Sequence, residues 1–593
     1  MVLPTTLALT PIAPADRVTA DEASGRSTVL SDQSVASAPK DRDGGLRLCR
    51  RHPLLLIWAV STCLLFCLYA AWSFVQPIGA TNDESAQLIK AASVVRGEFV
   101  GPAYSPKLAT RLTATNRVDL EYCNLASGAE RCDKALTVVT VPDSFANYIP
   151  DNCDLLPVYP VGCGHGRRGS GRPTIATTYV GRYPPLYYAT VGLPSLLWHT
   201  DTAVYLMRLV SGLISAIFLG LALALASVWS RSRLLPATVA VAATPMVFIF
   251  GSVVNPSGLE AAAAICVWTG GLIIVLDWVE NPPTSLIAAT AIAAIVLVLC
   301  RGLSPLWLAV IGVTLAALAP RSLSVLIRSH SVRLAMGVVT VVSAIAVVYI
   351  LWAHTLSVYP IGTPFPAGTS VIGVLELVLG RTDLFVQEFV GEFATQPVIF
   401  IWIVSVSTVV VLAIVTGLAR HSAVIITLVV ASLVLPTALM MSQAYTDGVV
   451  WQARDGFPLY VGVILVAGAV MGRNVMPTTG DEDVTSALTR APQRLITILA
   501  ISVAALQLAD FLWALRRYTV GLGSTVNPFA HVRDGWNPPG SSVGLVVVTT
   551  VTCIAYLFWI VRLSRPHNCA SVLRAAHEDR PSSVQLEDLS HAP

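Results

Sequence analysis

Charged side chains are what this sequence of 593 residues has least of. Asp, Glu, Lys and Arg together make up 12% of the chain, while hydrophobic residues make up 54%. An average soluble domain carries about 25% charged residues, because its surface must stay in water. The composition therefore excludes a chain of soluble domains, and a mean hydropathy of +0.68 favours a membrane protein.

Other signals are missing as well. The net charge of +3 is too small to indicate binding to nucleic acid. The sequence has no Walker loop, Rossmann fingerprint, metal-protease helix or Ser-His-Asp arrangement. Its cysteines show no zinc-ligand spacing. These absences exclude several soluble enzyme classes and leave the apolar segments as the main signal.

Apolar segments long enough to cross a hydrocarbon core as helix, about 20 residues each, recur along the chain. They predict an all-α integral membrane bundle of about 12 transmembrane helices over residues 46–565. The flanking stretches, 1–45 and 566–593, are predicted to be disordered cytoplasmic tails. The predicted spans are Pro53–Val75, Thr202–Trp229, Leu234–Val254, Gly258–Trp278, Ser285–Cys300, Leu303–Ala319, Leu334–Trp352, Val398–Leu418, Ala423–Met441, Pro458–Met471, Leu495–Leu515 and Val543–Val561.

The arginines of the short loops predict the orientation, because cytoplasmic loops carry an excess of positive charge. Arginines precede the first predicted span and follow the second, sixth, eighth and tenth, whereas the loop 280–284 has none. We therefore expect both termini to be cytoplasmic. The Ala/Val-rich, Lys-poor composition suggests the plasma membrane of a bacterium. This orientation places the largest loop, residues 76–201, outside the cytoplasm.

That outer loop contains four cysteines, Cys123, Cys132, Cys153 and Cys163. In an oxidising compartment four cysteines predict two disulfides, for which three pairings are possible. The alternative is that all four remain free thiols.

Two acidic residues, Asp83 and Glu84, follow the first span directly. The next stretch, 85–98, has an amphipathic rhythm and predicts a helix that lies at the membrane surface. Its membrane side would carry Ile89, Ala92 and Val95, and its polar side would carry Gln87, Lys90 and Arg96. The structural alternative is a capping box, in which Thr81 is the N-cap and Glu84 the third helical residue.

Charged residues in or beside the predicted spans indicate a polar cavity, because charge inside a bilayer is costly and usually functional. Four of them fall near the outer ends of spans, namely Arg208, Glu260, Arg301 and Asp510, whereas Asp277 falls at an inner end. The apolar run 285–319 is broken at Arg301, which predicts two short helices that meet there. A guanidinium at that break is suited to hold a phosphate by paired hydrogen bonds. The alternatives are snorkelling side chains and structural ion pairs.

Several short motifs carry a resemblance to a known family. They are Asn82-Asp83-Glu84 with Arg96-Gly97-Glu98, Tyr183-Pro184-Pro185-Leu186-Tyr187, Arg208, Asn255-Pro256-Ser257-Gly258-Leu259-Glu260, Arg301 and Trp451-Gln452-Ala453-Arg454. In this order they resemble the membrane glycosyltransferases of the GT-C superfamily. The closer resemblance is to a family of bacterial polytopic proteins catalogued as domain of unknown function 2142. The chain departs from that family's pattern at Gln87, where a His is usual, and at Asp455, where a Tyr is usual.

The resemblance implies inverting transfer of a sugar from a polyprenyl-phosphate donor to an extracytoplasmic glycan or glycolipid acceptor. It implies catalytic roles for Asp83 and Glu84, with Asp83 as the base. The donor phosphate would be held by Arg301, Arg454 and Arg208. The substrate would be contacted by Tyr183, Tyr187, Asn255, Glu260, Trp451 and Gln452. A divalent cation that bridges Asp83, Glu84 and the phosphate is one option.

Two functions of other classes remain open from the residues. The number of predicted spans suits a transporter or lipid flippase, although the two halves of the chain show no self-similarity. A non-catalytic scaffold for envelope assembly would instead use the cysteine-bearing loop as a binding surface.

Overall fold

A computed structural model describes residues 53–81, 83–102, 137–146, 170–278, 281–355, 365–366, 368–380, 388–391, 393, 395–445, 452–474, 485–523, 526–530 and 536–565. Of these residues, 76% are helical. Both predicted tails, the four cysteines of the outer loop and Trp451 lie outside the described residues.

The described chain forms eighteen α-helices, two short 3-10 helices and one β-hairpin. In chain order the elements are α1 (Pro53–Val75), α2 (Glu84–Val94), β1 (Thr137–Pro142), α3 (Asp143–Ala146), β2 (Pro173–Thr178), α4 (Pro185–Val191), a 3-10 helix (Leu193–Leu196), α5 (Asp201–Trp229), α6 (Leu235–Ala242), α7 (Pro245–Gly251), α8 (Pro256–Asp277), α9 (Thr284–Val298), α10 (Ser304–Leu318), α11 (Pro320–Leu326), α12 (His330–Thr355), α13 (Val371–Leu379), α14 (Gln396–Thr416), α15 (Ala419–Gln443), a second 3-10 helix (Ala453–Gly456), α16 (Phe457–Asn474), α17 (Thr485–Thr519) and α18 (Ser542–Leu563).

Each of the twelve predicted apolar segments contains helix, but within the described residues nine helices are long and apolar enough to cross a membrane alone. The sequence-based estimate of about 12 spans exceeds that number because three segments hold only short helices. The third segment is divided between α6 and α7 at Pro245, whose ring has no N–H to continue a helix. Helices α9 and α10 have 15 residues each, and α10 bends by 107° into α11 at Pro320. Counted with α11 as one bent span, α10 raises the total to ten.

The membrane bundle is built on a close pairing of α1 with α5 and of α5 with α8. Glycines allow this approach. A Cβ atom at Gly220 of α5 would lie 2.5 Å from the Thr62 hydroxyl of α1, and one at Gly212 would lie 2.8 Å from Tyr69. Small residues serve this purpose in membrane helices, where close packing rather than the hydrophobic effect drives association.

A small subdomain covers one end of the bundle, and we call it the outer subdomain because the arginine-bearing loops predict that this end faces outward. It contains α2, the β1–β2 hairpin, α3, α4 and the first 3-10 helix. The strands pair antiparallel from Thr137 opposite Thr178 to Pro142 opposite Pro173. Its apolar core continues into the first turns of α5 and α8, through residues such as Met207 and Leu259. The subdomain is therefore packed directly onto the bundle.

The prediction of a surface helix over 85–98 is wrong in its bounds and in its exposure, as helix α2 shows. It ends at Val94, and it is buried on its polar side as well as its apolar side. Lys90 is 1% exposed, and its ammonium group donates hydrogen bonds to the carbonyl oxygens of Phe99 and Gly181. Burial lowers the pKa of Lys90 to about 8. The polar residues of α2 therefore hold the subdomain together instead of facing water.

Candidate functional site

Glu84 and Arg208 form a fully buried ion pair, with both side chains 0% exposed. Arg208 Nε and Nη2 donate to the two carboxylate oxygens of Glu84 at 2.6 and 2.5 Å. The remaining donors go to the carbonyl oxygens of Ser73, Gln76 and Pro77 at 2.7 to 2.9 Å. All five N–H groups of this guanidinium are thus used. Arg208 has no donor left for a phosphate, and Glu84 is occupied as its counter-ion.

The predicted capping box does not form. The Thr81 hydroxyl donates to Gln76 Oε1 at 2.7 Å, and Asp83 takes the N-cap position of α2. Asp83 has φ 68°, the only positive φ at a non-glycine residue in the described chain. Left-handed backbone is costly for a residue with a Cβ atom, and such residues cluster at functional sites. The carboxylates of Asp83 and Glu84 bind different arginines, Arg454 and Arg208.

The Asp83 carboxylate accepts hydrogen bonds from two side chains. Arg454 Nη2 donates to Oδ2 and the Tyr179 hydroxyl donates to Oδ1. Although 37% of Tyr179 is exposed, loss of solvent around its hydroxyl and the adjacent carboxylate raise its pKa well above the usual value. Tyr179 therefore stays a donor at physiological pH. The bond between Asp83 and Arg454 joins the outer subdomain to a bundle residue 371 positions away.

Arg454 has binding capacity beyond this pair. It is 8% exposed, and its guanidinium lies over the Phe250 ring at 5.2 Å from the centroid. Its Nε and Nη1 atoms are buried and have no hydrogen-bond partner among the described residues. Those two atoms carry three of the five guanidinium donors. Buried, unsatisfied donors of a cation are costly, so this group is suited to receive an anion.

Arg454 and its neighbour Asp455 face two different partners. Both lie in the 3-10 helix Ala453–Gly456, which is closed by a capping box between Gln452 and Asp455. Asp455 Oδ1 accepts from Arg301 Nη2 at 2.6 Å. The backbone N–H of Ala453 donates to Glu388 Oε2 at 2.9 Å, which fixes the start of this helix. One turn of backbone thus positions both ion pairs.

Arg301 occupies the break between α9 and α10, as the sequence predicts. Besides Asp455 it contacts Glu260 Oε2 at 3.4 Å, and the Ser304 hydroxyl donates to Glu260 Oε1 at 2.6 Å. Glu260 is 0% exposed and has both oxygens occupied. We therefore assign Glu260 to the support of Arg301 rather than to substrate contact.

The predicted substrate residues have separate environments. Tyr187 is 2% exposed, and its hydroxyl lies 2.9 Å from Ser211 Oγ, so its ring is closed to a sugar. Asn255 caps α8 by accepting from the Ser257 N–H at 3.0 Å, and its Nδ2 has no partner among the described residues. Tyr183 is half-buried and lies four residues after Tyr179, the partner of Asp83. Of these three residues, only Tyr183 is not buried.

The single polar cavity predicted for Arg208, Glu260, Arg301 and Asp510 is divided. Arg208 belongs to the Glu84 pair and Arg301 to the Glu260 pair, while Asp510 lies against Gly391. Asp277 lies at the other end of α8, where it pairs with Arg473 at 3.4 Å and accepts from the Arg231 N–H at 2.9 Å. Arg208 and Arg301 thus lie at one end of the bundle and Asp277 at the other, but each has its own partner instead of sharing one cavity.

The side chains do not fit a cation bridged by Asp83 and Glu84. Each carboxylate is already matched by an arginine, and the two point to different partners. Across the described part of the chain, no three His, Cys, Asp or Glu residues are arranged to hold a metal ion. We therefore derive no step through a metal.

An open depression of about 650 Å³ lies beside the site rather than at it. Phe99, Thr140 and Trp352 are among its lining residues. It is joined to the site through Tyr349, whose ring contacts Trp352 and whose hydroxyl donates to the Tyr183 carbonyl at 3.4 Å. The candidate site remains Asp83 with Arg454, because Nε and Nη1 of Arg454 have no partner among the described residues.

Sequence reasoning missed Tyr179, Glu388 and Phe250 as parts of the site. No local signal marks them, because each reaches the site from a segment distant in sequence. The two departures from the family pattern now have structural explanations. Gln87 accepts a hydrogen bond from the Tyr188 hydroxyl, and Asp455 is the partner of Arg301.

Comparison with known proteins gives one family. The family model described as "Predicted membrane protein (DUF2142)" matches residues 66–463, which include the second half of α1, the outer subdomain and the Asp83–Arg454 pair. No curated protein matches the chain.

Proposed function

We propose that this chain, which belongs to the DUF2142 family of predicted membrane proteins, is an inverting membrane glycosyltransferase with a GT-C-like fold. It moves a sugar from a polyprenyl-phosphate donor to a glycan or glycolipid acceptor on the outer side of a bacterial plasma membrane. One observation carries the proposal. Asp83, in a left-handed backbone conformation, pairs with Arg454, whose guanidinium has three N–H groups without a partner among the described residues.

The donor phosphate binds Arg454 through the two N–H groups of Nη1, which have no partner among the described residues. A phosphate supplies the oxygen acceptors that these buried donors lack, and hydrogen bonds between two charged groups are about twice as strong as neutral ones. Burial strengthens the attraction further, because little water competes. Since Nη2 of the same group holds Asp83, the phosphate and the carboxylate are kept a few ångströms apart without meeting.

Asp83 is the base of the transfer. It accepts the proton of the acceptor hydroxyl while the acceptor oxygen forms a bond to the anomeric carbon of the sugar. The bond from that carbon to the phosphate oxygen breaks, its electron pair stays on the phosphate, and polyprenyl phosphate leaves. Attack from the side opposite the phosphate inverts the anomeric configuration. Arg454 matches the charge that develops on the leaving group.

Tyr179 and Arg301 support this arrangement. Tyr179 fixes one oxygen of Asp83 and leaves lone pairs for the acceptor proton. Arg301 holds Asp455 and through it the 3-10 helix that carries Arg454. Tyr183, half-buried and four residues after Tyr179, borders the sugar in this proposal.

The test is donor consumption by the purified chain in liposomes. A panel of polyprenyl-phosphate sugars is offered with crude envelope acceptor, and donor and product are followed by mass spectrometry. We expect wild type to consume one donor, and Asp83→Asn to be slower by about 10²–10⁴-fold, the usual contribution of a general base. Arg454→Gln is expected to lose about 10²–10³-fold, as when one donor to a developing charge is removed.

Asp143→Asn is the matched control for the base. Asp143 undergoes the same chemical change in the same subdomain, but its carboxylate binds only the turn at Ser144, Ser170 and Gly171 among the described residues. We expect Asp143→Asn to consume donor at the wild-type rate. Equal rates for Asp83→Asn and wild type would contradict the assigned base. If no donor is consumed by folded wild type, the transferase proposal is wrong.

A transporter is the rival that one observation favours. Broken helices line the binding sites of many transporters, and the described bundle has breaks between α6 and α7 and between α9 and α10. Uptake of a lipid or solute that depends on an ion gradient, without donor consumption, would support transport.

A further inference from the structure

Five large apolar side chains project from the outer subdomain within thirteen residues of chain. They are Leu186, Leu193, Leu196, Leu197 and Trp198, each at least 45% exposed and Leu197 72% exposed. From Pro184 to Thr200 the sequence contains no Asp, Glu, Lys or Arg. Single exposed apolar side chains are ordinary on protein surfaces, but a dense patch without charge marks an interaction surface. We call these five residues the apolar patch.

The patch is held rigidly by its buried face. Tyr187 and Tyr188 of α4 pack inward, and their hydroxyls contact Ser211 and Gln87. Arg96 donates to the hydroxyl and the carbonyl oxygen of Ser195 at 2.9 and 2.7 Å. These contacts fix which side of the segment faces outward, so the exposure of the patch is built into the fold.

The position of the patch identifies what covers it. Helix α5 crosses the membrane and begins at Asp201, three residues after Trp198. Three residues span at most about 11 Å. The headgroup layer on each side of the hydrocarbon core is about 5 to 8 Å thick. The patch therefore lies at the level of the lipid headgroups, where Trp and Leu are favoured at the boundary between water and acyl chains.

We infer that the apolar patch is a membrane anchor that inserts into the outer leaflet of the bilayer. The segment that lies at the membrane surface is thus 186–198, and not 85–98 as the sequence suggests. The anchor does not depend on the reaction assigned to the chain. It has a consequence for the site, because the same α4 also contacts Gln87 of α2, the helix that begins beside Asp83. The patch thereby holds Asp83 at a constant depth relative to lipid headgroups.

Photo-crosslinking to lipid tests the anchor. A benzophenone amino acid is introduced in place of Leu197 in the full chain, which is purified in nanodiscs of phosphatidylethanolamine and phosphatidylglycerol and irradiated. The mass shift of one phospholipid is then sought by mass spectrometry. Leu213, exposed within α5, is the positive control site, and Arg172, exposed on the hairpin, is the negative one.

We expect phospholipid adducts at Leu197 and Leu213 and none at Arg172. Adducts at Leu213 with none at Leu197 would overturn the inference. Crosslinks from Leu197 to a second copy of the chain would also overturn it, since the patch would then be a protein interface. If the Leu197 variant does not fold, the same label in place of Leu193 gives the same two decisive outcomes.

Discussion

Asp83 and Glu84 are adjacent in sequence and opposite in environment. Glu84 is fully buried with Arg208, whose five donors are all used, whereas Asp83 is partly exposed and pairs with Arg454, whose buried Nε and Nη1 have no partner among the described residues. A carboxylate that is enclosed with its counter-ion has no access to an acceptor hydroxyl. The geometry therefore distinguishes a structural residue, Glu84, from a candidate base, Asp83. The sequence does not show this difference, because both are carboxylic acids at neighbouring positions.

Loss of the Glu84 charge is predicted to destabilise the protein. Glu84→Gln leaves the Arg208 guanidinium buried without its counter-ion, and such a change typically costs about 3–5 kcal/mol. We expect a marked fall in the unfolding temperature of the detergent-solubilised chain, measured by tryptophan fluorescence. Glu376→Gln is the matched control, because Glu376 is exposed and should leave the transition unchanged.

The double variant Glu84→Met with Arg208→Met separates structure from catalysis at this pair. Removal of both charges restores much of the stability lost by either single change, because no uncompensated charge remains. If the double variant also regains activity, the pair is structural. A stable double variant without activity would instead give Glu84 or Arg208 a part in the chemistry.

At the scale of elements, short segments position the site while long helices enclose it. The 3-10 helix Ala453–Gly456 carries Arg454 and Asp455, and the break between α9 and α10 carries Arg301. Backbone outside regular helix is tolerated at membrane depth only where protein or a cavity surrounds it. The break at Pro245 meets this condition, since Thr244 is 1% exposed, whereas Gly302 at the other break is exposed.

Gly192 sets how closely α4 and α2 pack. A Cβ atom there would lie 2.3 Å from the carbonyl oxygen of Ala91 in α2 and 2.8 Å from the carbonyl oxygen of Tyr188. Backbone cannot give way as a flexible side chain can, so we expect Gly192→Ala to cost about 1–3 kcal/mol, as overpacking usually does. The readout is the unfolding temperature, with hydrogen exchange to localise the loss to the outer subdomain.

Gly312 supplies the control for the Gly192→Ala substitution. Nothing lies within 4 Å of a Cβ atom at Gly312 in α10, and alanine is favoured over glycine in helices. Gly312→Ala should therefore be neutral or slightly stabilising. A Gly192→Ala variant as stable as Gly312→Ala would contradict the close approach of α4 to α2.

For the whole molecule, the two ends of the bundle differ in chemistry. The outer subdomain, Asp83, Arg301 and Arg454 lie at one end. Asp277 and Arg473 pair at the other, close to the arginine-bearing loop after α5. Because arginine-rich loops stay in the cytoplasm, the end with Asp83 is predicted to face outward.

Labelling of introduced cysteines in intact cells tests this orientation. Arg172→Cys on the hairpin should react with a membrane-impermeant thiol reagent above the wild-type background, because the predicted orientation places the hairpin outside. Arg328→Cys, exposed after α11, should react only after the cells are permeabilised. The reverse pattern would place Asp83 in the cytoplasm, where an extracytoplasmic acceptor cannot reach it.

Much of the architecture follows from the sequence. Apolar runs predict α1 with its observed bounds and α5 and α8 to within a few residues, because hydrophobicity and length are local properties. The break at Arg301 is also predicted, because the stretch Arg301-Gly302-Leu303-Ser304-Pro305 places a charge, a Gly and a Pro close together in the apolar run. The site is predicted in part, for Asp83 and Arg454 are both named from motifs.

Only the tertiary structure decided which charges meet. Nothing local shows that Arg208 pairs with Glu84, 124 positions away, or that Arg454 pairs with Asp83. The same packing buried the polar side of α2 and exposed the apolar patch near α5. A sequence pattern reports the period and polarity of each helix, whereas the partner of a side chain depends on how distant helices pack. For this reason the sequence by itself determined a polytopic helical membrane protein, and the fold decided which of its charged residues are free to bind.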